Sequence, residues 1–158
     1  MPDTIVRSVS IETTASDAFD AFTRVGELLS WWCEGALVGR RTGGNWAIGF
    51  THGAAGDPAT IMGKIETYEP GQRLVVRDIL YETRTDELEG LSFVLTFVES
   101  GGTCVVTVEQ AIPASGPAYE RYRGEAGQGW EARLADLKEY LEGPRSRRVL
   151  VEAGLPEN

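Results

Sequence analysis

The chain has 158 residues, 42% hydrophobic and 25% charged, the proportions of an ordinary globular domain. That length predicts one domain, since domains run to roughly 100–200 residues, and it can bury a full core without disulfides or metals. Its 24 acidic and 15 basic residues leave a formal net charge of −9, which disfavours nucleic acid and anionic membrane surfaces as partners.

Met1-Pro2-Asp3-Thr4 lacks the basic-then-apolar run of a secretory signal. No apolar stretch approaches the roughly 20 residues that span a bilayer. A cytoplasmic protein with no membrane insertion is therefore expected. Cys33 and Cys104 have no metal-like spacing and read as structural thiols in a reducing compartment, with a disulfide left open.

Ile5 to Ile11 carries Ile5, Val9 and Ile11 on one period-2 face and predicts a first strand. Thr14 or Ser16 can cap the helix that follows, with Asp17 in its first turn. Ala18, Phe19 and Phe22 make its apolar stripe. Val25, Leu28, Leu29 and Trp32 predict a second short helix, with the break between the two placed near Gly26. Gly35 and Gly39 to Gly44 mark turns. Trp46, Ile48 and Phe50 alternate with small residues and predict a strand, and His52 to Pro58 reads as a loop.

Thr60 to Glu69 predicts a strand with Ile61 and Ile65 on one face and Met62 and Tyr68 on the other. Pro70-Gly71 makes a turn into a strand over Arg73 to Tyr81. Polar Thr83 to Gly90 is expected to be a loop. Leu91 to Glu99 and Thr103 to Ile112 form a hairpin about Ser100-Gly101-Gly102. After Pro113 the period changes. Pro117 fits the first turn of a helix reaching Glu142, with Trp130, Leu134, Leu137 and Leu141 along one stripe. Gly124, Gly127 and Gly129 weaken its first half and favour a local break, the helix proper starting near Gly129. Strands joined by tight turns argue for an antiparallel sheet. The fold class is thus α+β: a curved antiparallel sheet gripping a long C-terminal helix, with two short helices after the first strand.

Four local patterns carry a family resemblance. They are Ala15-Ser16-Asp17-Ala18-Phe19 followed by Trp31-Trp32; Gly43-Gly44-Asn45-Trp46; Gly63-Lys64-Ile65 with Glu69-Pro70-Gly71-Gln72-Arg73-Leu74-Val75; and Gly129-Trp130 with the leucines after it. Together they resemble the START-like helix-grip (SRPBCC) superfamily, in the branch named for the activator of the heat-shock-protein ATPase. The likeness covers residues 5–142. It departs at Phe19, where the family often has Trp, and at Arg24-Val25-Gly26, where it often has Asp-Pro. It divides the chain into a helix-grip domain at 1–143 and an extension at 144–158. It implies a hydrophobic cavity between sheet and helix. Members bind apolar small molecules, cyclise polyketides or assist chaperones, and share no catalytic signature.

The candidate ligand-binding residues are Trp32, Trp46, Phe50, Phe93 and Trp130 for an apolar wall, and Asp78, Tyr81 and Tyr122 for polar contacts. Asp78 shares its predicted face with Val76 and Leu80. Turned inward it would be a carboxylate in an apolar wall, with Arg7 as its partner. His52, the single histidine, reads as a loop residue. No nucleophile–base set, phosphate loop or metal-ligand spacing is present, so no catalytic residue, metal or cofactor is assigned. The primary expectation is a binder of a hydrophobic small molecule. The alternatives are a cyclase- or hydrolase-type enzyme on the same cavity, and a chaperone-associated or homodimeric interaction module. In the last, the apolar residues Val149, Leu150, Val151 and Leu155 of the tail would find a surface to pack on.

Overall fold

A computed structural model describes residues 4–52 and 56–143. The 144–158 extension, and the packing expected of it, lie outside the described residues. The elements are β1 (Thr4–Ile11), α1 (Ala15–Thr23), α2 (Val25–Trp31), β2 (Gly35–Val38), β3 (Asn45–Phe50), β4 (Ala59–Glu69), β5 (Arg73–Thr83), β6 (Glu87–Ser100), β7 (Thr103–Ala111) and α3 (Pro117–Glu142). The strands form one antiparallel sheet in the order β1-β7-β6-β5-β4-β3-β2. Helices α1 and α2 carry the chain from β1 at one edge to β2 at the other. The meander then returns to lay β7 beside β1. The α+β helix-grip architecture read from the sequence is the observed one.

Alternation sets the inner face. Along β7, Cys104, Val106, Val108 and Gln110 are buried, and the residues between them are not. Helix α3 lays Ala126, Trp130, Leu134, Leu137 and Tyr140 onto that face. The stripe is the predicted one up to Leu137. It then passes to Tyr140, while Leu141 is only partly buried. The helix runs unbroken through its glycines. At Gly127 a Cβ would meet the Arg7 guanidinium, the flexible end of a side chain that lies across the helix and pairs with Glu131 at 2.7 Å.

Helix α1 starts where Thr14 Oγ1 accepts from the Asp17 N–H at 3.0 Å. It ends one residue before Arg24, which is extended and separates the helices, so Gly26 lies inside α2 and not at the break. The last carbonyls of a helix have no partner within it. Here two tryptophans supply them: the Trp31 indole N–H donates to Ala21 O at 2.9 Å and the Trp46 indole N–H to Phe22 O at 2.8 Å. Both rings fill core space and cap the same helix.

Three local readings change. Gly35, read as a turn, opens the edge strand β2 over Gly35–Val38. The predicted loop 83–90 shortens to a tight connection, with β6 starting at Glu87. In β4 a register shift between Ile65 and Thr67 turns Tyr68 inward, where its ring lies 5.2 Å from that of Phe19.

A second irregularity bends the sheet at its middle. Lys64 pairs with Arg77 and Met62 with Leu80, so Asp78 and Ile79 together face Gly63. Asp78 takes the left-handed conformation at φ 53°, which Asp tolerates better than most residues. Gly63 admits this close approach. A Cβ on it would stand 2.8 Å from the Val76 and Ile79 Cγ1 atoms and 2.9 Å from the Arg77 carbonyl.

Gly63→Ala should therefore lower stability by about 1–3 kcal/mol, because overpacking there forces backbone and core to shift. Gly124→Ala, where nothing lies within 4 Å, should raise it by up to about 1 kcal/mol through helix propensity. Urea unfolding of the two variants checks both signs. Equal midpoints for Gly63→Ala and the parent chain would contradict the account of the bulge.

Candidate functional site

Between α3, α2 and the ends of β3, β4 and β5 lies a cleft of about 740 Å³. Trp32, Phe50, Ile61, Tyr81, Tyr122 and Trp130 line it, together with Leu29, Trp31 and Ala59. Behind it is a recess of about 30 Å³ bounded by Trp46, Ile79, Leu91, Phe93 and Gln110. Trp32, Ile61, Tyr81, Tyr122 and Trp130 border both spaces.

Aromatic packing builds the shared wall. The Trp32 ring lies 5.7 Å from Trp46 and 5.8 Å from Trp130, and Phe93 lies 5.3 Å from Trp46 and 5.6 Å from Trp130. Most of these pairs meet edge-on, the arrangement that ring quadrupoles favour. Tyr81 and Tyr122 continue the wall with ring centroids 5.3 Å apart. The Tyr122 hydroxyl donates to Gln110 Oε1 at 3.0 Å, and the Trp130 indole N–H donates to the same oxygen at 2.7 Å. Burial pushes the Tyr122 phenol up to about 12, although its bond to Gln110 works the other way. Burial also raises the Tyr81 phenol, with the Glu125 and Asp86 charges adding to the rise. Both phenols are neutral over the physiological range.

The structure thus brings together seven of the eight candidate residues. Trp32, Phe50, Tyr81, Tyr122 and Trp130 line the cleft, while Trp46 and Phe93 line the inner recess. Asp78 is the exception. The bulge flips it out of the alternation that placed it beside Val76 and Leu80, and its side chain is 69% exposed. It bonds to the neighbouring Arg77, and the expected partner Arg7 is engaged with Glu131. Asp78 lines neither space.

Sequence reasoning missed the mouth. Glu34, Glu125, Gly129 and Arg133 line the cleft there, along with His52. Glu34 follows the Trp31-Trp32 pair, and its backbone N–H donates to Gly49 O at 3.0 Å. That places its carboxylate against the end of β3, where it accepts from the Thr51 hydroxyl, from the Thr51 N–H at 3.0 Å and from the His52 N–H at 3.4 Å. These bonds, the Thr51 hydroxyl foremost, hold Glu34 below the usual carboxylate range and keep it ionised. Thr51 Oγ1 also lies 3.2 Å from His52 Nδ1. The only signal in the sequence was a lone carboxylate between an aromatic pair and a glycine. It gains meaning once β2 pairs with β3.

Cys33 also lines the cleft, but burial pushes its thiol up to about 11, so it is protonated and a poor nucleophile at neutral pH. Cys104 is fully buried, and both are free thiols. Among the described residues no cluster of three or more His, Cys, Asp or Glu is placed to hold a metal ion. No described helix is long and apolar enough to cross a membrane.

Several solved structures share the fold. DynU16, a protein in the dynemicin biosynthetic locus, is 19% identical with a TM-score of 0.69 over 90% of this chain, which spans 48% of DynU16, about half its length. Aha1 from Colwellia psychrerythraea, solved as a dimer in solution, is 16% identical with a TM-score of 0.67 over 88% of this chain and 96% of its own. CV1439 from Chromobacterium violaceum is 21% identical with a TM-score of 0.69, over 90% of this chain and 99% of its own. No curated protein sequence matches the chain. The family model described as Activator of Hsp90 ATPase homolog 1-like protein matches residues 12–142, and the chain belongs to that family.

Proposed function

We propose that this protein binds an apolar or aromatic small molecule in the cleft between α3, α2 and the sheet. The observation that carries the proposal is the cleft: about 740 Å³, walled mainly by rings and aliphatic side chains, with its charged groups at the mouth. That volume lies within the roughly 300–1,000 Å³ of small-molecule sites, which combine apolar walls with a few placed polar groups. Burying a flat apolar molecule there would gain roughly 25 cal/mol for each Å² of surface removed from water.

An enzyme of cyclase or hydrolase type on the same cleft is the runner-up. DynU16's place in a biosynthetic locus motivates it, as does the Glu34–Thr51–His52 group at the mouth. Two observations weigh against it. Asp78, the carboxylate expected in the apolar wall, lies outside the cleft, and Cys33 is protonated. The interaction reading draws on the family and on the dimeric Aha1 relative.

Two measurements test the binding proposal. The native mass of the freshly purified protein, set against its denatured mass, should show a reproducible small-molecule excess that denaturation removes. A bare mass would contradict tight ligand storage, and a doubled mass would support the dimer. Separately, fluorene should quench tryptophan fluorescence saturably. Gly129→Leu, which puts a side chain into open space at the cleft mouth, should weaken that binding about tenfold or more and leave the melting temperature equal or higher. Unchanged fluorene binding in this variant would place the ligand elsewhere.

A further inference from the structure

Gln110 stands on the inner face of β7 and is only 3% exposed. Its neighbours fix the orientation of its amide. The Trp130 indole N–H can only donate, so the Gln110 atom at 2.7 Å must be the carbonyl oxygen. The Tyr122 hydroxyl, 3.0 Å from that oxygen, then donates as well. The NH₂ group is left with two N–H donors, and among the described residues none accepts from it. The nitrogen is not sealed in by protein atoms, so the explanation for its free donors lies in the space beside it and not in the packing.

The recess gives that explanation a place. Gln110 lines it, with Trp46 and Phe93 on its inner side and Tyr81, Tyr122 and Trp130 shared with the larger cleft. Its volume of about 30 Å³ accommodates one or two waters, or a single ligand oxygen, but not a ring. The chemistry of the occupant is constrained from three sides. The amide nitrogen donates only, so the occupant must be an acceptor. No cationic side chain lines the recess, so a carboxylate there would be a buried charge without a counterion. The walls leading to it are ring faces and edges, which suit a flat conjugated body.

We propose, building on the binding function above, that the recess is the recognition end of the cleft. It takes the carbonyl oxygen of a flat aromatic ketone. Gln110 Nε2–H donates to that oxygen, and the ring system stays in the outer cleft against Trp32, Tyr81 and Trp130. The Tyr81 hydroxyl, which has no partner among the described residues, borders the same space and offers a second donor. Trp130 and Tyr122 act as positioning residues, because they fix which end of the amide faces the ligand.

The test compares two probes of nearly equal shape, 9-fluorenone and fluorene, by quenching of tryptophan fluorescence. The ketone should bind about five- to tenfold tighter, the value of one buried hydrogen bond. The carbonyl stretch of bound 9-fluorenone should fall below its frequency in hexane. Gln110→Met should bring the two affinities together. The infrared shift in the unaltered protein keeps the proposal open to refutation should that variant not fold. Equal binding of the two probes with an unshifted stretch would overturn the carbonyl assignment and leave the binding function standing. Binding of neither probe would overturn both.

Discussion

One oxygen atom holds the architecture in register. Gln110 Oε1, on the last strand, accepts from both Trp130 and Tyr122 of α3, two turns of helix apart. A long helix over a curved sheet can slide or rotate at small cost when only apolar contacts hold it, because those contacts have no direction. Two hydrogen bonds to a single buried acceptor remove that freedom. Each is worth only about 0.5–1.5 kcal/mol net, but a buried donor left without its acceptor costs about 1–3 kcal/mol, so displaced arrangements are penalised more than the native one is rewarded. The position of α3 in turn sets the distance between Trp130 and Trp32, and with it the back wall of the cleft.

The sequence reported this fold where regular periods run without interruption. The helical stripe through Trp130, Leu134 and Leu137 and the alternation over Cys104 to Gln110 could be read directly. Reading failed where one residue breaks the period. The bulge at Asp78 is set by its left-handed backbone and by Gly63, fifteen residues earlier on the adjacent strand, and it alone reversed the predicted face of the carboxylate. Tyr68 turned inward for the same kind of reason. Strand β2 is four residues long and begins at a glycine, so it gave no period to detect.

The candidate site divides along the same line. Large aromatic residues are conspicuous in any sequence, and those chosen from it converge in space around the cleft and recess. What the sequence could not convey is their second task. Trp31 and Trp46 cap the carbonyls at the end of α1, which depends on how two distant segments meet. The residues that leave the cleft open, Ala126 and Gly129, matter through the volume they do not fill. The chemistry follows from this division of labour. The aromatic wall is closely packed and neutral, its phenols and the Cys33 thiol stay protonated, and the ionised Glu34 stands at the mouth. Such a site is suited to holding and orienting a molecule.

The four tryptophan indole N–H groups offer the most direct test of the clamp on Gln110. Trp31, Trp46 and Trp130 donate to protein acceptors at 2.9, 2.8 and 2.7 Å, whereas Trp32 has no indole acceptor among the described residues. Hydrogen exchange followed in a ¹⁵N-resolved proton spectrum should show three slow indole signals and one fast signal, the fast one assigned to Trp32. A Trp130 indole exchanging as fast as that of Trp32 would mean that the helix is not tied to the sheet through Gln110, and the account of the site would fail with it.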